Sequence, residues 1–202
     1  MGLDSTAALR SNSLTRHQAA RVGESLLTAR PLNRQQLAAV LGVLMILTAV
    51  PRLLMAWQHD VICADGYYYL SMATLWEQGQ FDAALSYLNI NLYPLILWGM
   101  KAVGLEGSWA FKSWGIAISC LTVLPLYGVA RRCFDDRVAC AATLLYAFQP
   151  ELIELAVEPV REPTFWFCFL SAGDLLARSV ETCASLICPA AAGAAWGAAI
   201  HT

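Results

Sequence analysis

Charge is scarce in this chain. Of its 202 residues only 14% are Asp, Glu, Lys or Arg and 58% are hydrophobic, with a mean hydropathy of +0.52, whereas an ordinary soluble domain carries ~25% charged residues. The composition implies a membrane protein. No run interleaves basic residues with aromatics, so no nucleic-acid partner is expected. The seven cysteines, Cys63, Cys120, Cys133, Cys140, Cys168, Cys183 and Cys188, form no C-x-x-C pair. Most lie in apolar stretches, where a thiol behaves as a small hydrophobe. His17, His59 and His201 are scattered, none with a second ligand at helical spacing. No disulfide framework, metal site or cofactor is therefore expected.

What is present is a series of apolar runs. Crossing a ~30 Å hydrocarbon core takes about 20 mainly apolar residues in a helix, and "LAAVLGVLMILTAVPRLLMAW" from Leu37 to Trp57 meets that length. Arg52 falls late in this run, where it can snorkel outward. Spans are expected at 37–57, 111–130, 138–157, 164–177 and 184–200, preceded by a tail at 1–36. That tail carries Arg10, Arg16, Arg21, Arg30 and Arg34 against only Asp4 and Glu24. The polar lead is too long for a cleavable signal peptide.

Arg131, Arg132, Arg137 and Arg178 flank the later spans, and by the positive-inside rule they belong with the tail on the cytoplasmic side. The outward loops are then 58–110 and about 150–163. From Gln58 to Leu92 the first contains Asp60, Asp65, Glu77 and Asp82 and lacks Lys and Arg; the second carries Glu151, Glu154, Glu158 and Glu162 with only Arg161. Two acidic loops are expected on one face.

Within the first loop, "ICADGYYYLSMATLWEQGQ" reads as a helix over residues 67–78 lying in the interface. Tyr67, Ser71, Thr74 and Gln78 make a polar stripe, while Tyr68, Tyr69, Met72, Leu75 and Trp76 cover much of the rest. Gly79 is a stop for this helix, and "LYPLILWGMKAVG" from Leu92 to Gly104 reads as a second surface helix. Asp65 has two compatible readings: an N-cap, and a general base at the membrane surface. In "VEPVREPTFWF", Arg161 is either a snorkelling anchor or a planar partner for phosphate oxygens. Glu158 and Glu162 read singly as solvated loop charges, and Pro163 as the start of the next helix.

The order of "ADGYYYLSMATLWEQGQF", "LYPLILWGMKAVG", "FKSWGIAISCLTVLPLYGVARRCF", "QPELIELAVEPVREPTFWFCFL" and "AGAAWGAAIHT" resembles the front part of GT-C class membrane glycosyltransferases. It is most similar to the family 39 branch, related to protein O-mannosyltransferases and lipid A aminoarabinose transferases, over roughly residues 37–202. The resemblance implies an all-α polytopic fold, a GT-C-like transmembrane bundle with interfacial helices in the first outward loop. It implies Asp65 as the catalytic base and a site close to Arg161, Glu162 and Pro163. Family members often have Asp-Glu in the first loop, and here the second position is Gly66. They also have about twice as many spans, so the chain is expected to be an amino-terminal portion.

The expected activity is transfer of a hexose or pentose from a polyprenyl-phosphate donor to a hydroxyl of a glycan, lipid or protein acceptor. Asp65 is the expected catalytic residue, and Arg52, Tyr68, Arg161 and Glu162 the expected substrate-binding set. The expected location is integral in the membrane, amino terminus cytoplasmic and active face periplasmic or otherwise extracytoplasmic, among membrane lipid. The alternative is a non-catalytic scaffold or transport component. Transport calls for ionisable groups within spans, and there Asp174 is the main one.

Overall fold

The computed structural model describes residues 32–58, 62–87, 92–105, 107–182 and 187–201; residues 1–31 of the basic tail, His59 and Asp60 lie outside them. Among the described residues the chain is helical and has no strand. In order the helices are α1 (Arg34–Gln58), α2 (Ala64–Glu77), α3 (Phe81–Tyr87), α4 (Leu92–Ala102), α5 (Trp109–Cys133), α6 (Asp136–Phe148), α7 (Pro150–Leu155), α8 (Glu162–Thr182) and α9 (Ile187–His201).

Of these, α1 and α5 are long and apolar enough to cross a membrane. Each has 25 residues, about 37 Å at ~1.5 Å per residue. The expected third span is broken: α6 stops at Phe148, Pro150 opens the short α7, and the chain from Ala156 to Arg161 is irregular. Proline suits the first turn of a new helix, where its missing N–H costs nothing. In α8, Glu162, Asp174 and Arg178 interrupt the apolar pattern.

Helices α1 and α5 run antiparallel. Leu44 packs with Val123 and Tyr127 towards one end, together with Ala130, Ala139 and Tyr146, while Ala56 packs with Ile116 and Val157 towards the other. Such an apolar interior tolerates hydroxyls only when they are bonded. Thr48, Thr122 and Thr143 are buried, and each donates to the carbonyl one turn earlier at 2.7–2.8 Å. Outward, α1 exposes Ile46 (63%), Leu54 (61%) and Trp57 (81%). A stripe of large apolar side chains of this kind marks a surface made for lipid or another protein.

Close packing is concentrated at particular glycines. A Cβ on Gly115 of α5 would collide with the backbone carbonyl of Ala156, whereas one on Gly42 of α1 would meet nothing within 4 Å. Gly115→Ala is therefore expected to destabilise the fold by about 1–3 kcal/mol, as overpacking against rigid backbone does. Gly42→Ala is expected to be neutral or to stabilise by up to ~1 kcal/mol through helix propensity. Chemical unfolding of both variants in mild detergent checks the contrast, and equal midpoints would contradict it.

Helices α2–α4 gather at one end of α5. Ala73 of α2, Tyr93 and Leu97 of α4 and Phe111 of α5 form a separate buried cluster. The surface helix expected from Leu92 onward thus has a firmly buried side. At the other end of the bundle lie Arg131 and Arg132 of α5 and Arg178 of α8, joined to acidic partners: Arg131 to Asp136 at 2.9 Å, and Asp174 to both Arg132 and Arg178.

Candidate active site

Helix α2 begins earlier than the apolar and polar spacing suggests, at Ala64, because Cys63 caps it. The Cys63 Sγ accepts from the Gly66 N–H at 3.3 Å. Asp65 is therefore not the cap. It stands in the first turn, exposed, where a carboxylate complements the positive end of the helix dipole. The stop is as expected: Gly79 has φ +73°, its N–H reaches the Trp76 carbonyl at 3.1 Å, and the Gln80 N–H reaches Leu75 at 2.9 Å. This is the Schellman arrangement, which calls for a left-handed residue that glycine supplies without strain.

The polar stripe of α2 faces a groove. Tyr67, Ser71, Thr74 and Gln78 line it with Ile62, Leu70, Met72 and Leu75, around a volume of about 630 Å³. Ser71 and Thr74 satisfy their hydroxyls on carbonyls one turn back, each at 2.9 Å. Tyr68 is half exposed and is not among the residues that line this groove.

The irregular segment after α7 comes to the start of α2. A Cβ on Gly66 would land on the Pro159 ring, so the backbones of the two acidic loops touch where Gly66 has no side chain. That contact gives a physical reason for glycine at this position: a longer side chain would separate the loops. Gly66→Ala is expected to push the segments apart and cost about 1–3 kcal/mol of stability. Adding Pro159→Ala, which removes the ring, is expected to recover a substantial part. A double-mutant cycle in detergent unfolding checks this, and additive effects would contradict the contact.

The side chains around this junction interact. Burial pushes the Cys63 thiol up, and the Glu158 side chain, bonded to it, and the charge of Asp65 act in the same direction, against the Gly66 N–H. Burial also raises the Tyr93 hydroxyl, reinforced by the charges of Glu162 and Tyr69, so Tyr93 stays a neutral hydroxyl across the physiological range. Tyr69 meets Tyr93 edge-on, with ring centroids 5.3 Å apart. Glu162 is half buried, with Oε2 enclosed and unbonded. An enclosed carboxylate oxygen without a donor is costly unless another group supplies one. Thr164 fixes the start of α8 by accepting from the Trp114 indole at 2.9 Å.

Of the expected site residues, Asp65 and Glu162 thus belong to elements that adjoin at one end of the bundle, and Arg161 lies exposed in the same irregular segment as Glu158 and Pro159. The reading of Glu158 and Glu162 as solvated loop charges is corrected, since both are partly buried at this junction. Arg52 is corrected more strongly. It is fully buried, its Nη1 donating to the Thr48 carbonyl at 2.9 Å and the Ala147 carbonyl at 3.1 Å and its Nη2 to the Tyr146 carbonyl at 3.4 Å, with its guanidinium 5.1 Å from the Tyr146 ring centre. It points into the bundle, where it satisfies the last carbonyls of α6 and opposes the negative end of that helix dipole.

Sequence reasoning passed over Lys112. Its buried Nζ donates to the Ala56 carbonyl at 2.9 Å, in the last turn of α1. Its signal was visible: a lone cation at the head of an apolar run. Both buried, Arg52 and Lys112 donate to carbonyls in the last turns of α6 and α1, the groups that a helix leaves without a partner of its own at its C-terminal end. No protein family, no characterised protein and no solved structure matches the chain.

Proposed function

We propose that the chain is a multi-pass membrane glycosyltransferase of the GT-C type, using a polyprenyl-phosphate sugar on the extracytoplasmic face. The observation that carries this reading is the junction of Gly66 with Pro159. It gathers Asp65, Glu158 and the Arg161-Glu162 segment at one end of a bundle whose opposite end is basic.

In the proposed step Asp65 takes the acceptor hydroxyl proton as that oxygen bonds to the anomeric carbon of the sugar. The bond from the anomeric carbon to the lipid phosphate breaks, and the phosphate leaves with its electron pair. Arg161, exposed beside the junction, stabilises that charge through its planar donors. With its guanidinium committed to carbonyls, Arg52 has a structural part rather than this one. The groove along α2 offers both hydroxyl-bearing and apolar walls, suited to a sugar that arrives on an isoprenoid chain.

The reading is tested by supplying membranes that contain the full chain with radiolabelled sugar on polyprenyl phosphate or on a nucleotide. Label entering acceptor from the lipid donor alone is the expected result. Transfer from the nucleotide donor alone, or equal labelling by membranes without the chain, would contradict it.

A further inference from the structure

At the basic end of the bundle a crevice of about 650 Å³ opens between α1, α5 and α8. Its volume falls within the ~300–1,000 Å³ of small-molecule sites. Leu37 and Leu41 of α1 and Leu124 of α5 wall it, while Arg131, Arg132 and Arg178 line it too. Leu124 precedes Arg131 by about 10 Å along the helix at ~1.5 Å per residue, so an apolar portion and a cationic portion follow one another along the bundle axis.

Arginines predominate at this end, with acidic partners among them: Arg131 meets Asp136 through Nε, Arg132 and Arg178 share Asp174, and Asp135 caps α6 close by. Arg34 and Arg137 stand at the same end of the bundle. Arg131 is one-third exposed and Arg178 about half, so both are within reach of a ligand.

We propose that this crevice binds an anionic phospholipid, its phosphate against Arg131 and Arg178 and an acyl chain along Leu41 and Leu124. Guanidinium forks match phosphate oxygens, and basic pockets between helices on the cytoplasmic side of a membrane take acidic headgroups. The proposal rests on α1 and α5 spanning a membrane, and it is independent of the transferase reading. It gives the end of the molecule remote from Asp65 a ligand of its own.

The test uses the full chain in a non-ionic detergent, with native mass spectrometry following titration by phosphatidylglycerol or by phosphatidylcholine of the same acyl chains. Phosphatidylglycerol is expected to bind the more tightly. Arg178→Gln is expected to weaken that binding about fivefold and Arg131→Gln with Arg178→Gln about 25-fold, from the ~1 kcal/mol per basic residue found near anionic membrane surfaces. Phosphatidylcholine binding should stay unchanged. Arg178→Gln keeps the Arg132 to Asp174 pair, so the prediction stays readable should the double variant fail to fold.

Equal affinity of the parent chain for the two lipids, or a preference undiminished in Arg178→Gln, would overturn the proposal. Glycerol phosphate is expected not to compete; competition at the same concentration as the lipid would overturn the lipid as occupant. Alkaline carbonate washing of membranes is expected to leave the chain in the pellet. Release by carbonate would overturn the membrane reading and this proposal with it, whereas a retained chain without lipid preference overturns this proposal alone.

Discussion

Asp174→Ala is expected to cost about 3 kcal/mol of stability, at the low end of the ~3–5 kcal/mol for removing one partner of a buried ion pair. The carboxylate is 8% exposed and lies between Arg132 and Arg178, so the variant leaves two cations facing an interior without their shared anion. Arg178 is about half exposed and can turn to water, which is why the low end applies. Gly128 deepens the dependence, because the carboxylate packs against its bare Cα, where a Cβ would meet Asp174 Oδ1. Asp174→Asn keeps the acceptor oxygen and should lose less. Unfolding midpoints in detergent check the order; a midpoint for Asp174→Ala equal to that of the parent chain would contradict it.

The ionisable group expected within a span is thus accounted for by packing. Asp174 joins α8 to α5 through an ion pair, and its neighbours are arginines of the same basic end.

The larger expected effect concerns activity. Asp65→Asn keeps size and shape and removes the basic oxygen, so sugar transfer should fall by about 10²- to 10⁴-fold, the usual contribution of a positioned general base. Asp65 is exposed in the first turn of α2, and the helix cap belongs to Cys63. Stability should therefore change by less than ~1 kcal/mol, the value of a carboxylate at an exposed helix N-terminus. A fall in transfer with unchanged unfolding separates a chemical role for Asp65 from a structural one.

Which features were legible in the sequence follows from the range of the interactions that fix them. The long runs of α1 and α5 show in composition alone, and Gly79 shows as a stop because the Schellman turn is local. The polar stripe of α2 was legible too, since four residues at helical spacing define one face whatever lies opposite. Cys63 as the cap was hidden, because a thiol is not among the side chains that favour that place. The burial of Arg52 was hidden for another reason: its acceptors are backbone carbonyls of Tyr146 and Ala147, 94 and 95 residues further on, and a carbonyl leaves no mark in side-chain pattern. The same holds for the junction of Gly66 with Pro159. Periodicity within either loop could show two acidic segments, but not that a glycine in one receives a proline ring from the other.

The central claim, that this junction surrounds a glycosyl-transfer site, is tested most directly by transfer of radiolabelled sugar from polyprenyl phosphate, comparing the full chain with Asp65→Asn at matched expression and membrane insertion. Transfer by the parent chain and a loss of at least ~100-fold in the variant is the result predicted. Equal transfer by the two would remove Asp65 from the chemistry and contradict the account.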